Sequence, residues 1–96
     1  MRFMRLISNK MLRDFASRHL TASEPLRAWR KIIESRAFIG FSDLKSVFNA
    51  TDKVDDYYIF NVGGNKYRIV TIIRFEHQKV FVREILTHKE YDLWKP

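Results

Sequence analysis

The 96-residue chain has no cysteine. That excludes disulfide cross-links, thiol catalysis and cysteine-built zinc sites, and it fits a cytoplasmic, reducing location as an expectation. Glycine and proline are scarce, at three and two residues, in an otherwise ordinary globular composition, which excludes collagen-like repetition and disorder. No apolar run approaches the ~18 residues of a membrane span, so no membrane partner is expected. Arg2 and Arg5 are followed only by Leu6 and Ile7 before the chain turns polar, too short a stretch for a secretory signal. Met4 would open the first strand as well as Met1 does. The three histidines lack metal-ligand spacing, so no metal and no cofactor is expected. One domain over residues 1–96, with a single core, is what this length predicts.

What is abundant is positive charge. The formal net charge is +7. Residues 1–48 carry ten Lys/Arg against four Asp/Glu, and residues 49–96 eight against seven. Such a field attracts phosphate chains, an anionic surface or an acidic protein, although a small soluble domain commonly carries a charge of about 2–8 with no such partner.

Hydrophobic spacing predicts a strand from Phe3 to Ile7, then a helix over about 9–19 capped by Ser8, with Met11, Leu12, Phe15 and Ala16 inward. Thr21-Ala22-Ser23-Glu24 has capping-box spacing ahead of Pro25, so a second helix should run to about Ser35 on a stripe of Leu26, Trp29, Ile32 and Ile33. The basic outer faces of these helices read as solvated surface or docking surface. Ser42-Asp43 should cap a short third helix through Phe48, and Asn49 to Asp56 reads as a loop. From Tyr57 the period becomes two. Three β runs, Tyr57–Val62, Lys66–Phe75 and Val80–Leu86, are separated by Gly63-Gly64 and by the polar stretch Glu76–Lys79. Thr87-His88-Lys89-Glu90 repeats capping-box spacing, so a short terminal helix should carry Tyr91 and Trp94. The expected fold class is α+β: an N-terminal strand, two to three helices packed on an antiparallel β-meander, and a short C-terminal helix.

Two-residue turns at Gly63-Gly64 and His77-Gln78 would pair Ile59 with Arg68 and Ile72 with Arg83. They would set Lys66, Arg68 and Arg83 on one side of the sheet, opposite a core face of Tyr58, Phe60, Val62, Tyr67, Ile69, Thr71 and Ile73. Arg68 could pair with Glu84, Asp55 or Asp56 and lie across apolar neighbours, or the cations could form a patch that grips a phosphodiester. Arginine suits the second use because its planar fork holds phosphate oxygens in two bonds. His88 lies at the mouth of that face as a candidate proton acceptor. Tyr91 shares its helical face as core residue, stacking platform or proton-transfer group. His19 and His77 read as surface positions.

Tyr58-Ile-Phe-Asn-Val-Gly-Gly-Asn-Lys-Tyr-Arg-Ile-Val70 and Val80-Phe-Val-Arg-Glu-Ile-Leu-Thr-His-Lys-Glu-Tyr-Asp92, in this order, closely resemble the HigB-type toxins, a branch of the RelE-like superfamily of toxin–antitoxin systems. The resemblance starts at Leu6-Ile-Ser and ends near Trp94. It implies a RelE-like α+β toxin that acts as a ribosome-dependent, metal-independent endoribonuclease on translated mRNA and so inhibits translation and growth. It also implies a HigA-type helix-turn-helix antitoxin, with operator DNA reached only through the antitoxin complex. Arg68 and Tyr91 occupy the family's arginine and tyrosine positions. The implied site is Arg68 and Arg83 for phosphate stabilisation and His88 and Tyr91 as acid–base or base-stacking groups, their roles interchangeable. Lys66, Asn65 and Lys89 complete it as RNA-positioning residues. The alternative is a non-catalytic RNA- or antitoxin-binding module, a decayed toxin.

Overall fold

A computed structural model describes residues 2–7 and 9–96. Strand β1 (Arg5–Ile7) leads into α1 (Asn9–Arg18) and α2 (Ser23–Ile33). After α3 (Phe41–Val47) come β2 (Asp52–Val54), β3 (Tyr57–Val62), β4 (Tyr67–Arg74) and β5 (Lys79–Thr87), and α4 (His88–Leu93) closes the chain. The strands form one sheet in the order β1-β5-β4-β3-β2. The β1–β5 pair is parallel and the other pairs are antiparallel. The α+β reading therefore holds, with two additions. The stretch read as loop contains the edge strand β2, and β1 docks in parallel beside β5.

The core lies between α1–α3 and one face of the sheet. Leu12 and Phe15 from α1, Leu26, Trp29 and Ile33 from α2, and Leu44 from α3 are buried against Phe60, Tyr67, Ile69, Ile73, Val80, Val82 and Ile85. The three- and four-residue helical spacings meet the two-residue spacing of the strands. Each large side chain so buried contributes about 1.5–3 kcal/mol. The expected core face of β3 and β4 is this face, with Thr71 donating its hydroxyl to the Tyr58 carbonyl at 2.7 Å.

Several local expectations give way to tertiary demands. The residue expected to cap α1, Ser8, lies outside the described residues. Leu20–Ala22 forms a 3-10 turn and α2 starts without a side-chain cap. Thr21 instead hydrogen-bonds the buried Tyr67 hydroxyl across the core. Ile32 is exposed, because α2 ends at Ile33 and its inward stripe is filled by Leu26, Trp29 and Ile33. His19 is half-buried, stacked on Phe15 with centroids 4.3 Å apart. Asp43 does not cap α3 in the usual way; it gathers the Arg36 guanidinium at 2.8 Å and the Ile39 N–H at 3.0 Å. Three of the six outer cations of these helices pair along their own helices, Lys10 with Asp14, Arg27 with Glu24 and Arg30 with Glu34.

Both predicted turns are longer than two residues. Gly63, Gly64 and Asn65 take consecutive left-handed conformations (φ 67°, 62° and 71°). The loop 63–66 then pairs Val62 with Tyr67 and Asn61 with Arg68. Lys66 leaves the strand as a consequence. At the other end Phe75–His77 is a 3-10 turn closed by Gln78 at φ 52°. Ile72 consequently faces Phe81 rather than Arg83. A bulge in β5 opposite Val70/Thr71 then adds one residue, because Thr71 pairs with Val82 and Val70 with Glu84. Arg83 is that extra residue. With Val82 and Ile85 both buried, Arg83 and Glu84 are left together on the solvent side of the strand.

Candidate active site

The sheet face turned away from α1–α3 carries Arg68, and α4 folds across it. β4 delivers Arg68 in an extended stretch whose alternate residues, Tyr67 and Ile69, anchor in the core. Arg68 as a whole is 9% exposed. It donates to the Asn65 carbonyl at 2.9 Å and the Tyr67 carbonyl at 3.4 Å. The left-handed Asn65 turns its carbonyl back toward Arg68, so the loop holds the cation without a carboxylate. The same loop anchors α4, whose first N–H, that of His88, donates to the Lys66 carbonyl at 2.8 Å. Thr87 and Glu90 complete the anticipated capping box, at 3.1 Å from the Glu90 N–H to the Thr87 hydroxyl and 2.8 Å from the Thr87 N–H to the Glu90 carboxylate. That backbone N–H holds the Glu90 carboxyl below its ordinary range.

The cap aims two groups at Arg68. One guanidinium nitrogen lies 3.2 Å from His88 Nδ1. A guanidinium has no acceptor, so this contact uses the Nδ1 lone pair and places the imidazole proton on Nε2. One turn on, Asp92 reaches to 3.7 Å from Nε2. The Tyr91 ring lies over the guanidinium, 5.3 Å from its centroid. Burial and then the Asp52 charge raise the phenol above its usual range, and Arg68 opposes them. Tyr91 is therefore a neutral O–H donor throughout the physiological range. Behind it Trp94 stacks on Tyr91 at 5.7 Å and meets the edge of Tyr57 at 5.5 Å, while its indole N–H donates to Glu84 at 2.7 Å. A buried cation that no carboxylate among the described residues neutralises, an imidazole and a phenol thus converge on one face, an arrangement suited to a phosphodiester.

Residues 22–94 match the family of HigB toxins, the RelE-like toxic component of a toxin–antitoxin system. The chain belongs to the HigB toxin family. It is 40% identical over 94 residues to the mRNA interferase toxin HigB of Escherichia coli, covering 95% of this chain and 90% of that protein. The mRNA interferase HigB of Shigella flexneri matches to the same extent. A second Escherichia coli mRNA interferase HigB is 26% identical over 92 residues, covering 93% and 89% of the two chains.

In this HigB-family chain Arg68, His88 and Tyr91 come together as anticipated, and Asn65 joins them through its backbone. Arg83, Lys66 and Lys89 do not converge with them. All three are exposed, and among the described residues none makes a side-chain hydrogen bond or ion pair. Nor does Arg68 pair with Glu84, Asp55 or Asp56. Sequence reasoning missed Asp92, although its spacing of four from His88 on a helix announces a shared face. It also missed Asp52, which entered the site with the unrecognised strand β2, and the Trp94–Glu84 contact. Among the described residues no three His, Asp or Glu side chains gather in a metal-ligating group.

Proposed function

We propose that the chain is an endoribonuclease that cuts mRNA by internal attack of a ribose 2′-hydroxyl. The family membership implies an mRNA substrate and an antitoxin partner. The observation that carries the chemistry is the Arg68 guanidinium in contact with both His88 Nδ1 and the Tyr91 ring. A phosphate entering this face draws the Arg68 N–H groups onto its own oxygens, since charge-assisted bonds to phosphate are stronger than one to a neutral imidazole. That frees the His88 Nδ1 lone pair. His88 then takes the 2′-hydroxyl proton as the 2′-oxygen bonds to phosphorus. The bond from phosphorus to the 5′-oxygen breaks, and Tyr91 gives its phenolic proton to the leaving oxygen. The products are a 2′,3′-cyclic phosphate and a 5′-hydroxyl end. Asp92 faces Nε2 and stabilises the imidazolium that forms, while Arg68 carries the extra charge on the phosphoryl oxygens in the transition state. Lys66, Lys89 and Arg83 are free cations around the site that position RNA phosphates.

The substrate reading extends to mRNA held on the translating ribosome, and the partner reading to a HigA-type helix-turn-helix antitoxin through which alone the complex meets operator DNA. The test is to incubate purified chain with mRNA, with and without translating ribosomes and in chelator, and to map new ends. New 5′-hydroxyl ends paired with cyclic phosphates are expected, most abundantly in the translating sample. RNA binding without new ends in either sample would replace the nuclease by the non-catalytic binding module.

A further inference from the structure

The face that carries Arg68 holds a second cluster of cations at its far end. Arg74 pairs with Lys79 across β4–β5, and Lys79 pairs with Arg5 across β5–β1. The three stand in one row over three adjacent strands. All lie on the side opposite the buried Leu6, Val80 and Ile73, which is the side of Arg68, because β4 runs unbroken from Tyr67 to Arg74 and six residues preserve the face. Arg2 and His77 flank the row and line a cleft of about 390 Å³ with Phe3, Arg5 and Lys79.

What sets this row apart from ordinary surface charge is that its cations stand directly opposite one another on adjacent strands. Among the described residues none of Arg2, Arg5, Arg74 and Lys79 joins an ion pair, as is also true of Lys66, Arg83 and Lys89. Neighbouring strands lie about 4.8 Å apart, well inside the screening length of about 8 Å at physiological salt. Like charges set directly opposite each other destabilise a sheet, so the row costs the fold something that a polyanion would relieve. One step inward, Ile7, Phe81 and Ile72 form the next row. All three are half-exposed, and Phe81 offers a ring to a base.

We propose that Arg5, Lys79 and Arg74, with Phe81 beside them, form a second RNA subsite that holds phosphodiesters of the strand being cut. The proposal rests on the RNA-cleaving reading of the Arg68 centre. Six residues of β4 put the row about 20 Å from Arg68, a gap that an oligonucleotide bridges and a dinucleotide does not. The row therefore contributes to binding only when the strand extends beyond the scissile link.

The test titrates the full chain with fully 2′-O-methylated RNA, which lacks the nucleophile, as a dinucleotide and as a decanucleotide, over a range of salt. The wild type is compared with the triple variant R5Q/R74Q/K79Q. Dinucleotide affinity should be the same for both. Decanucleotide affinity should fall in the variant, and its log–log salt dependence should flatten by about 2, from three phosphate contacts at about 0.7 each. The variant's melting temperature should not fall, because the exchange removes repulsion. Unchanged decanucleotide binding would overturn the subsite. So would an equal loss for both lengths, which is a general field effect, or a loss of antitoxin affinity with none for RNA, which would give the row to a protein partner. If the wild type cuts mRNA neither alone nor on translating ribosomes yet shows the length-dependent binding, the nuclease reading falls and the subsite stands.

Discussion

Replacing Arg68 by methionine separates its chemical role from its structural one. Methionine keeps an unbranched stem of similar reach and removes the guanidinium. The loss to catalysis follows from the proposed contact with the phosphoryl oxygens. Removing a preorganised donor of this kind costs about 10²–10³ in kcat, or about 2.7–4 kcal/mol. The loss to stability is smaller. Arg68 makes bonds to the Asn65 and Tyr67 carbonyls and sits under Tyr91, and a cation–π contact of that kind contributes about 0.5–2 kcal/mol. Against this, a buried arginine with no carboxylate partner among the described residues carries a desolvation penalty of several kcal/mol. The Asn65 carbonyl belongs to an exposed residue and can bond to water instead. These opposing effects leave a net change within about 1 kcal/mol, a shift in Tm of no more than about 8 °C for a chain of this size. Arg68→Met should thus lose cleavage of mRNA on translating ribosomes by at least two orders of magnitude and melt close to wild type. Turnover within tenfold of wild type would show that the guanidinium does not meet the transition state. A Tm lowered by about 20 °C would show that Arg68 holds the fold.

Tyr91→Phe keeps the ring over Arg68 and removes the proton donor. It should lower single-turnover cleavage by about 10²–10⁴ with little change in Tm, and because the phenol lies above its usual value, the wild-type rate should show no loss from Tyr91 deprotonation below about pH 10. Gly63→Ala should destabilise by about 1–2 kcal/mol in urea unfolding, since φ is +67° and the new Cβ would stand 3.0 Å from the Tyr67 ring. Thr87→Ala should cost about 1 kcal/mol and raise amide exchange in α4. In the wild type the Glu90 carboxyl is lower folded than unfolded, so its stabilisation is full above the ordinary carboxylate value and disappears as pH falls through the lowered one; Glu90→Gln should flatten that acid limb.

The elements that could be read in advance are those whose signal is local. The capping box Thr87–Glu90 needs only four residues, and α4 begins where it says. The stripes Leu12/Phe15 and Leu26/Trp29/Ile33 need one helix each. What was illegible depends on distant partners. Asp52-Lys53-Val54 has no apolar alternation, because β2 is an edge strand with Asp52 and Lys53 exposed, and only pairing with β3 makes it a strand. Thr21-Ala22-Ser23-Glu24 has the right spacing for a cap, but the Tyr67 hydroxyl competes for Thr21 and wins. Nothing within residues 5–7 announces a parallel docking on β5, more than seventy positions away.

The candidate site survived two wrong turns for a reason of parity. The expected hairpin paired Ile59 with Arg68, and the observed one pairs Ile59 with Val70. A displacement of two residues leaves every side chain on its predicted face, whereas a displacement of one inverts the strand. The second hairpin began with the same even error at Ile72. The bulge then supplied an odd step, which moved Ile85 into the core and put Glu84 where Trp94 can reach it. Arg83 stayed off the core face only because it is itself the inserted residue. Arg68 was therefore predictable from alternation along β4 alone, while the position of Arg83 depended on an irregularity that alternation cannot encode. That difference argues for Arg68 as the centre of the chemistry: it is fixed by core anchors on both sides, as a group that must meet a transition state has to be, and Arg83 stands on a bulge without a partner.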